Sequence, residues 1–406
     1  MLKNFNLDQF IKDHVTGRQE SLLKSDYEKF DAELRNRIDG RSVLVIGGAG
    51  TIGSSYIKAI LRFNVAKLYV VDINENGLTE LVRDLRSSVE YNIPDDFKTY
   101  PINFGDKVFE KILRNEGPFQ IVANFAAHKH VRSEKDHYSI EAMVENNAIK
   151  AKYLLDLLLE FPPERFFCVS TDKAANPVNV MGASKKLMEE VILAYSKKMQ
   201  ITTARFANVA FSNGSLPFGF IQRLLKRQPF SSPTDVRRYF VSPIESGEIC
   251  LMACILGNSG EIFFPKLDYD RDMKTFSSIA EELLEDLGYK PSYCETEDQA
   301  RKEALNLGAN SDTYPVLFFK TDTSGEKKYE EFFTEGEDVD MTTFPNLGVI
   351  KNAKRKTIEE IQPVFDRLHT LFDDENVEKA DIVHLLKEIL PGFQHIETGK
   401  SLDQKM

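Results

Sequence analysis

The stretch Val43-Leu44-Val45-Ile46-Gly47-Gly48-Ala49-Gly50-Thr51-Ile52-Gly53 constrains this chain more than any other. Apolar, mostly β-branched residues run straight into a glycine-rich turn, and Ser54 to Phe63 continue as a helix. A second apolar strand, Lys67-Leu68-Tyr69-Val70-Val71-Asp72, ends in an acid. Glycines at 47, 50 and 53 permit a tight turn and let a pyrophosphate approach the helix N-terminus, whose amides favour anions. Thr51 and Ile52 open that helix and belong to the same phosphate cradle. Asp72 follows Gly50 by roughly 20 residues, where a carboxylate accepts hydrogen bonds from an adenosine ribose. A carboxylate there repels a 2′-phosphate, so the expected cofactor is NAD rather than NADP.

The alternation of strand and helix continues. Strands are predicted at 97–103, 119–125, 165–170 and 201–207 with helices between them, which implies an α/β fold with a doubly wound parallel Rossmann sheet. Asp106 follows the third strand, placed near the adenine. Ala126-Ala127-His128-Lys129-His130-Val131 follows the fourth, on the edge where such sheets bind ligands. No Cys or acid stands at ligand spacing from the two histidines, so no metal is expected.

After the fifth strand comes Ser170-Thr171-Asp172-Lys173, leading into a helix over Ala183 to Met199 whose Leu187, Val191, Tyr195 and Met199 share one face. A hydroxyl, a carboxylate and an ammonium at a strand's carboxyl end, followed by Lys185 on the next helix, form a candidate catalytic cluster. A polar strand-to-helix loop is the alternative.

A chain of 406 residues buries a large core. The expected organisation is an N-terminal helical extension (1–40), a NAD-binding domain (41–207), a smaller mixed substrate-binding region (208–345) and a C-terminal helical tail (346–406). Phe5, Leu7, Phe10 and Ile11, then Leu22, Leu23, Tyr27, Phe30 and Leu34, pattern the extension as two amphipathic helices, packed on this subunit or on a neighbour. In the substrate region Phe211-Ser212-Asn213-Gly214-Ser215 is a turn-rich loop, and Arg237-Arg238 is a phosphate clamp or a solvated surface pair. Residues 268–345 read as acidic and irregular, and Lys379 to Leu390 as a helix stopped by Pro391-Gly392.

The formal net charge of −11, with no basic block, excludes a nucleic-acid footprint. The longest apolar runs are too short to span a bilayer, and Met1 to Asp8 lacks the apolar core of a secretory signal. Cys168, Cys250, Cys254 and Cys294 follow no framework spacing and read as reduced core thiols. The expectation is a cytoplasmic protein without membrane insertion.

Gly47–Gly53, Ala126–Val131, the string Ser170-Thr-Asp-Lys-Ala-Ala-Asn-Pro-Val-Asn-Val-Met181-Gly-Ala-Ser-Lys185, Arg205-Phe206-Ala207-Asn208-Val209 and Gly260-Glu-Ile-Phe-Phe-Pro-Lys266 occur in that order. Over residues 41–335 the chain resembles the extended short-chain dehydrogenase/reductases, and within them the UDP-N-acetylglucosamine 4,6-dehydratases of bacterial surface-polysaccharide and nonulosonic-acid synthesis. The resemblance implies NAD, a UDP-sugar substrate and a homo-oligomer. It implies catalytic roles for Thr171, Asp172, Lys173 and Lys185, and substrate contacts from Lys129, His130, Asn208, Ser212, Arg238 and Lys327. Ala126 and Ala127 join Lys185 and the glycine turn around the cofactor.

Three departures stand out. The superfamily's Tyr-x-x-x-Lys is Met181-x-x-x-Lys185, as in the long membrane-bound members; the family's Arg-Phe-Gly-Asn has Ala207; and its late Arg-Pro-Gly-Glu-Lys is Thr323-Ser324-Gly325-Glu326-Lys327.

The resemblance further implies oxidation at C4, elimination of water across C5 and C6, and reduction at C6. Asp172 is then the acid, Lys173 the C5 base, and Thr171 the hydrogen-bond partner of the 4-oxygen. Met181, a thioether, handles no proton. The Met-bearing subgroup is expected to retain the C5 configuration. A nucleotide-sugar 4-epimerase and a non-catalytic NAD-binding regulatory protein are the alternatives.

Overall fold

The structure is a computed structural model that describes residues 5–308, 310–321, 329 and 331–397. Its centre is a nine-stranded sheet. Seven strands are parallel, the first six being β1 (Ser42–Ile46), β2 (Lys67–Asp72), β3 (Asp96–Pro101), β4 (Ile121–Asn124), β5 (Arg165–Val169) and β6 (Ile201–Ala204). β7 (Ile262–Pro265) pairs parallel to β6, and β8 (Val339–Asp340) and β9 (Leu347–Ile350) close that edge antiparallel. The order is β8-β9-β7-β6-β5-β4-β1-β2-β3. The chain order reverses between β1 and β4, and a doubly wound sheet opens its ligand crevice at such a point.

The inner strands read as continuous apolar runs because both faces are covered. β1, β2, β4 and β5 are buried almost throughout. The helices Thr51–Ile60 and Pro243–Leu256 cross closely enough that a Cβ on Gly247 would lie 2.2 Å from the Ser55 carbonyl oxygen.

A second core joins Phe211, Phe220, Phe230, Phe240 and Tyr314. Over it lie two small sheets. One pairs Asn208–Val209, Arg237–Val241 and Met273–Thr275; the other is wholly parallel and joins Lys290–Tyr293, Thr313–Phe319 and Phe230–Pro233. The stretch 268–345, irregular by composition, therefore carries strands and two helices, Phe276–Asp286 and Glu297–Ala304. The strands escape a period-2 reading because each is short and half-buried, and Pro291 and Pro315 interrupt two of them.

The N-terminal helices pack on their own subunit. Phe10, Ile11 and Val15 enter the second core, and Arg18 forks onto Glu245 with Nε–Oε1 and Nη2–Oε2 both at 2.8 Å. At the other end, β7 and β9 complete the main sheet from within the predicted substrate region and tail. The tail's helices, Ile358–Phe372 and Lys379–Ile389, pack on Val180–Tyr195 and His137–Val144 respectively. Among the described residues no helix is long and apolar enough to cross a membrane.

The Gly247 crossing makes a prediction. Gly247→Ala places a methyl inside backbone contact distance, so the two helices must part. Such overpacking costs about 1–3 kcal/mol. Urea denaturation should show a lower midpoint with an unchanged slope.

Candidate active site

The glycine turn is shaped by close approach. Gly47 has φ +76°, and a Cβ on it would lie 2.5 Å from the Ala126 amide nitrogen. A Cβ on Gly53 would lie 2.2 Å from the Gly47 carbonyl oxygen. Only glycine lets the turn, the helix start and the loop after β4 share this space. Gly50 meets nothing closer than 3.5 Å, so its face stays open to an approaching group.

The cleft beside this turn is lined by Gly47, Gly50, Thr51, Ile52, Gly53, Asp72, Ala126, Ala127 and Lys129, all singled out from the sequence. Asp72 accepts from the Ala49 amide through Oδ2 and from the Asn74 amide through Oδ1, each at 2.9 Å. Its carboxylate is thereby fixed at the end of β2, facing the cleft. The residues fit a dinucleotide: an open glycine face for phosphate, and an oriented acid for a ribose.

Asp106 does not line the cleft. It is exposed and its Oδ2 accepts from the Asn103 amide at 3.2 Å, so it braces the loop. The residues that face the cleft after β3 are Ile102, Asn103 and Phe104. A short polar turn hides from sequence which of its members points inward.

After β5, Thr171 and Asp172 meet Lys173 in one 3-10 turn, Asp172–Ala174. Asp172 is buried, and its Oδ1 accepts from Thr171 Oγ1 at 2.8 Å, the Lys173 amide at 2.9 Å and Lys173 Nζ at 3.1 Å. Three donors on one carboxylate oxygen make an oriented ion pair at the strand's carboxyl end.

The following helix starts at Val180, three residues earlier than predicted, because Asn179 caps it by accepting from the Gly182 amide at 2.7 Å. A Cβ on Gly182 would lie 2.7 Å from the Lys173 carbonyl oxygen, so the helix and the Asp172–Ala174 turn are packed in contact. Met181 is buried there. Lys185 is also buried; its Nζ donates to the Val169 carbonyl at 2.7 Å, and burial lowers its pKa. It is tied to the end of β5 and is not among the residues lining the cleft.

The loop after β4 carries Lys129 and His130. Both keep solvent-facing surface, yet the surrounding walls displace enough water to lower both pKa values, for His130 with help from Lys129 and Arg132. The His130 ring lies against Gly214, where a Cβ would come within 2.9 Å of it. That contact joins the loop to Ser212-Asn213-Gly214, and the Asn213 amide donates to Thr51 Oγ1 at 2.9 Å. Ser212 itself is buried and its amide caps the turn onto the Val209 carbonyl at 3.2 Å.

Asn208 Nδ2 is buried and has no hydrogen-bond partner among the described residues. A buried amide donor costs about 1–3 kcal/mol when unpaired, which favours a ligand that accepts from it. Arg238 is buried, with Nη1 donating to the Arg237 carbonyl at 2.9 Å, while the Arg237 guanidinium stacks 5.1 Å from the Tyr269 ring centroid. The pair is therefore not a solvated surface feature. Lys327 lies outside the described residues.

Sequence reading missed the frame behind the site. Glu189, on the helix Val180–Tyr195, accepts from Ser170 Oγ at 2.7 Å and from Arg205 Nε and Nη2 at 2.9 Å. Arg205 also donates to Glu337 and to the Phe332 carbonyl. Burial pushes the Glu189 carboxyl up, but Arg205, Lys186 and Ser170 outweigh it and hold it well below the usual carboxylate range. Asn147 ties the loop after β4 to the helix Val180–Tyr195: Oδ1 accepts from the His128 amide at 2.8 Å, and Nδ2 donates to Ser184 Oγ at 2.9 Å. A Glu inside the largely apolar run of that helix was the available signal; Asn147 lies in a π-turn, Glu145–Ile149, that only the structure reveals.

Comparison with known proteins follows the same lines. The profile of the polysaccharide biosynthesis protein family matches residues 43–352. An uncharacterized membrane protein of Methanocaldococcus jannaschii is 29% identical over 88% of this chain and 98% of its own length. The capsular polysaccharide biosynthesis protein CapD of Staphylococcus aureus is 28% identical over 84% of this chain, which spans only 56% of that relative. An inverting UDP-N-acetylglucosamine 4,6-dehydratase of Campylobacter jejuni is 28% identical over 62% of the chain and 73% of its own length.

Among solved structures, Pen from Bacillus thuringiensis superposes with TM-score 0.60 at 20% identity, covering 79% of this chain and 89% of that one. The dTDP-glucose 4,6-dehydratase DesIV from Streptomyces venezuelae, solved with NAD bound, superposes with TM-score 0.53 at 19% identity, covering 72% and 88%. The chain belongs to the polysaccharide biosynthesis protein family and carries its fold, that of the extended short-chain dehydrogenase/reductases.

Proposed function

We propose that the protein is an NAD-dependent nucleotide-sugar 4,6-dehydratase acting on UDP-N-acetylglucosamine, with retention at C5. The observation that carries this reading is the Thr171–Asp172–Lys173 cluster at the carboxyl end of β5, where one carboxylate oxygen gathers a hydroxyl and an ammonium. A 4-epimerase has no use for such an acid–base pair. The Campylobacter relative, named as an inverting 4,6-dehydratase, supports the dehydration; retention at C5 rests instead on Met181.

The glycine turn, Asp72, Ala126 and Ala127 would hold NAD, which when bound supplies the hydride acceptor for C4 and the donor for C6. The remaining chemistry is proton transfer. Elimination needs neutral Lys173 to take the C5 proton and protonated Asp172 to give one to the departing 6-hydroxyl. That step leaves ammonium and carboxylate, which is the ion pair seen at 3.1 Å. Lys173 then returns its proton to C5 from the side it took it, which gives retention.

Overall, the proton that leaves with water is the one lost from the 4-hydroxyl. With Met181 unable to carry it, Thr171 offers a path: its hydroxyl donates to Asp172 Oδ1 at 2.8 Å and reaches the 4-oxygen in this reading.

Three outcomes are expected. Incubation with UDP-N-acetylglucosamine should yield a product lighter by one water in mass spectra, with proton couplings of the gluco configuration at C5. Unchanged mass with a new 4-epimer would identify an epimerase, and an inverted C5 would remove Met181 as its determinant.

Lys173→Met and Asp172→Asn should each lower turnover by about two to four decades, the usual cost of removing a general base or acid. With enzyme in excess, the Lys173 variant should still develop the absorbance of reduced nicotinamide on mixing with substrate, whereas the Asp172 variant, lacking the carboxylate that takes the 4-hydroxyl proton through Thr171, should develop it far more slowly. Its absence in the Lys173 variant would assign that residue to C4 oxidation as well.

The wild type should bind NAD in preference to NADP, and Asp72→Ala should relax that preference in titration calorimetry. Equal affinity of the wild type for both would contradict the assignment.

A further inference from the structure

The family profile ends at residue 352, yet the described chain runs on to 397 and returns to the active site. The helix Ile358–Phe372 lies on the helix Val180–Tyr195, pinned by Lys356 Nζ to Glu190 Oε2 at 2.6 Å. The helix Lys379–Ile389 lies on His137–Val144. The backbone then lies alongside the segment between Lys173 and Val180. Gln394 and Ile396 donate their amides to the carbonyls of Pro177 and Val178, at 3.1 and 3.0 Å. Two backbone bonds, from donors two residues apart to adjacent carbonyls, tie the tail to the very segment that joins the Asp172–Ala174 turn to its helix.

Between those amides, His395 points inward. Its Nε2 lies 2.5 Å from Glu134 Oε1, and both side chains are only 7% exposed. The other oxygen of Glu134 accepts from the Val180 amide at 2.7 Å, at the first turn of the helix that carries Met181 and Lys185. Glu134 itself ends the loop that begins with Ala126 and carries Lys129 and His130. One carboxylate thus joins both active-site loops, and the tail histidine occupies its second oxygen.

We propose that His395 is a positioning residue that acts through Glu134 to fix the start of the helix Val180–Tyr195, and with it the Asp172–Lys173 turn packed against Gly182. A carboxylate with both oxygens held cannot swing between partners, so the Val180 amide keeps its place. The 2.7 Å contact a Cβ on Gly182 would make with the Lys173 carbonyl oxygen leaves no slack between helix and turn. A shift at Val180 therefore moves Lys173, and misplacement of an acid–base pair lowers the chemical step more than it lowers binding. The effect on turnover rests on Asp172 and Lys173 acting as acid and base; the effect on geometry does not.

The test uses the full-length chain with His395→Ala, His395→Asn and His395→Gln. Glutamine can place an amide N–H near the Glu134 carboxylate, whereas the shorter asparagine and alanine cannot. Expected are a fall in kcat of about tenfold in the Ala and Asn variants, a change in KM for UDP-N-acetylglucosamine of less than about threefold, and recovery by Gln to within about threefold of wild type. Hydrogen exchange of peptides covering residues 175–182, read by mass spectrometry, should speed up in Ala and Asn and not in Gln. An unchanged kcat in an active protein, or unchanged exchange in both the Ala and Asn variants, overturns the proposal. Faster exchange in a protein that dehydrates no UDP-hexose would overturn the dehydratase reading and leave the positioning role standing. The Asn variant carries the test if the Ala variant does not fold.

Discussion

Arg205 is the side chain on which the rest of the site depends. It is wholly buried, and its guanidinium spans Glu189 on one side and Glu337 on the other. A lone cation at that depth would be far too costly to keep charged, so the two carboxylates and the Phe332 carbonyl are conditions of the fold. Removing either partner of such a pair typically costs about 3–5 kcal/mol, because the survivor is left charged and dry. The pair also has a direction. Glu189 also accepts from Ser170 and faces Lys186, so the end of β5, the helix behind it and the segment 332–337 are held in one arrangement.

Rigidity there is matched by close approach at the cofactor cleft. Gly47, Gly53, Gly182 and Gly247 are each met by backbone inside ordinary contact distance. Their role is less to bend the chain than to let two elements occupy nearly the same place. Gly47 brings the turn after β1 against the loop after β4, and Gly182 brings the helix Val180–Tyr195 against the turn of Lys173. The cleft and the Asp172–Ala174 turn therefore rest on separate glycine contacts, while sharing the parallel sheet that aligns the parallel strand ends at one edge.

How much of this was legible in the sequence follows from the range of each interaction. The parallel sheet, the glycine turn, Asp72 and the Thr171–Asp172–Lys173 cluster are local patterns: a strand, a turn and a helix within a few residues of one another. They read directly, with boundaries shifted by a few positions where a cap such as Asn179 decided them. What did not read was long-range. Nothing near Glu134 announces His395, and nothing near Glu189 announces Glu337. A buried ion looks like a surface ion in sequence until the fold brings its partner. Asp106 failed for a different reason. A polar turn offers several residues to a cleft, and the backbone bond from Asn103 turned this one outward. The strands at the edge of the substrate region were too short for a period-2 signal to rise above composition.

The two segments outside the family match act at opposite ends of the same set of loops. At the N-terminus Phe10 packs edge-on against Phe211 at 5.8 Å, and Phe211 holds a φ of 53°, a conformation that costs a non-glycine residue about 1–2 kcal/mol. Its side chain is buried in the second core, so packing compensates the backbone there. Two residues on, the Asn213 amide donates to Thr51 at the cofactor turn, and the next residue, Gly214, is in contact with His130. The loop 211–215 is thus held from behind by the N-terminal helix, while the loop 174–180 is held from behind by the C-terminal segment. A Rossmann sheet fixes strand ends but not the long loops that leave them, and loops are where chemistry is placed. In this chain the extensions do for those loops what hydrogen bonding does for the strands: each gives a segment of irregular backbone a second partner, and so one position instead of several.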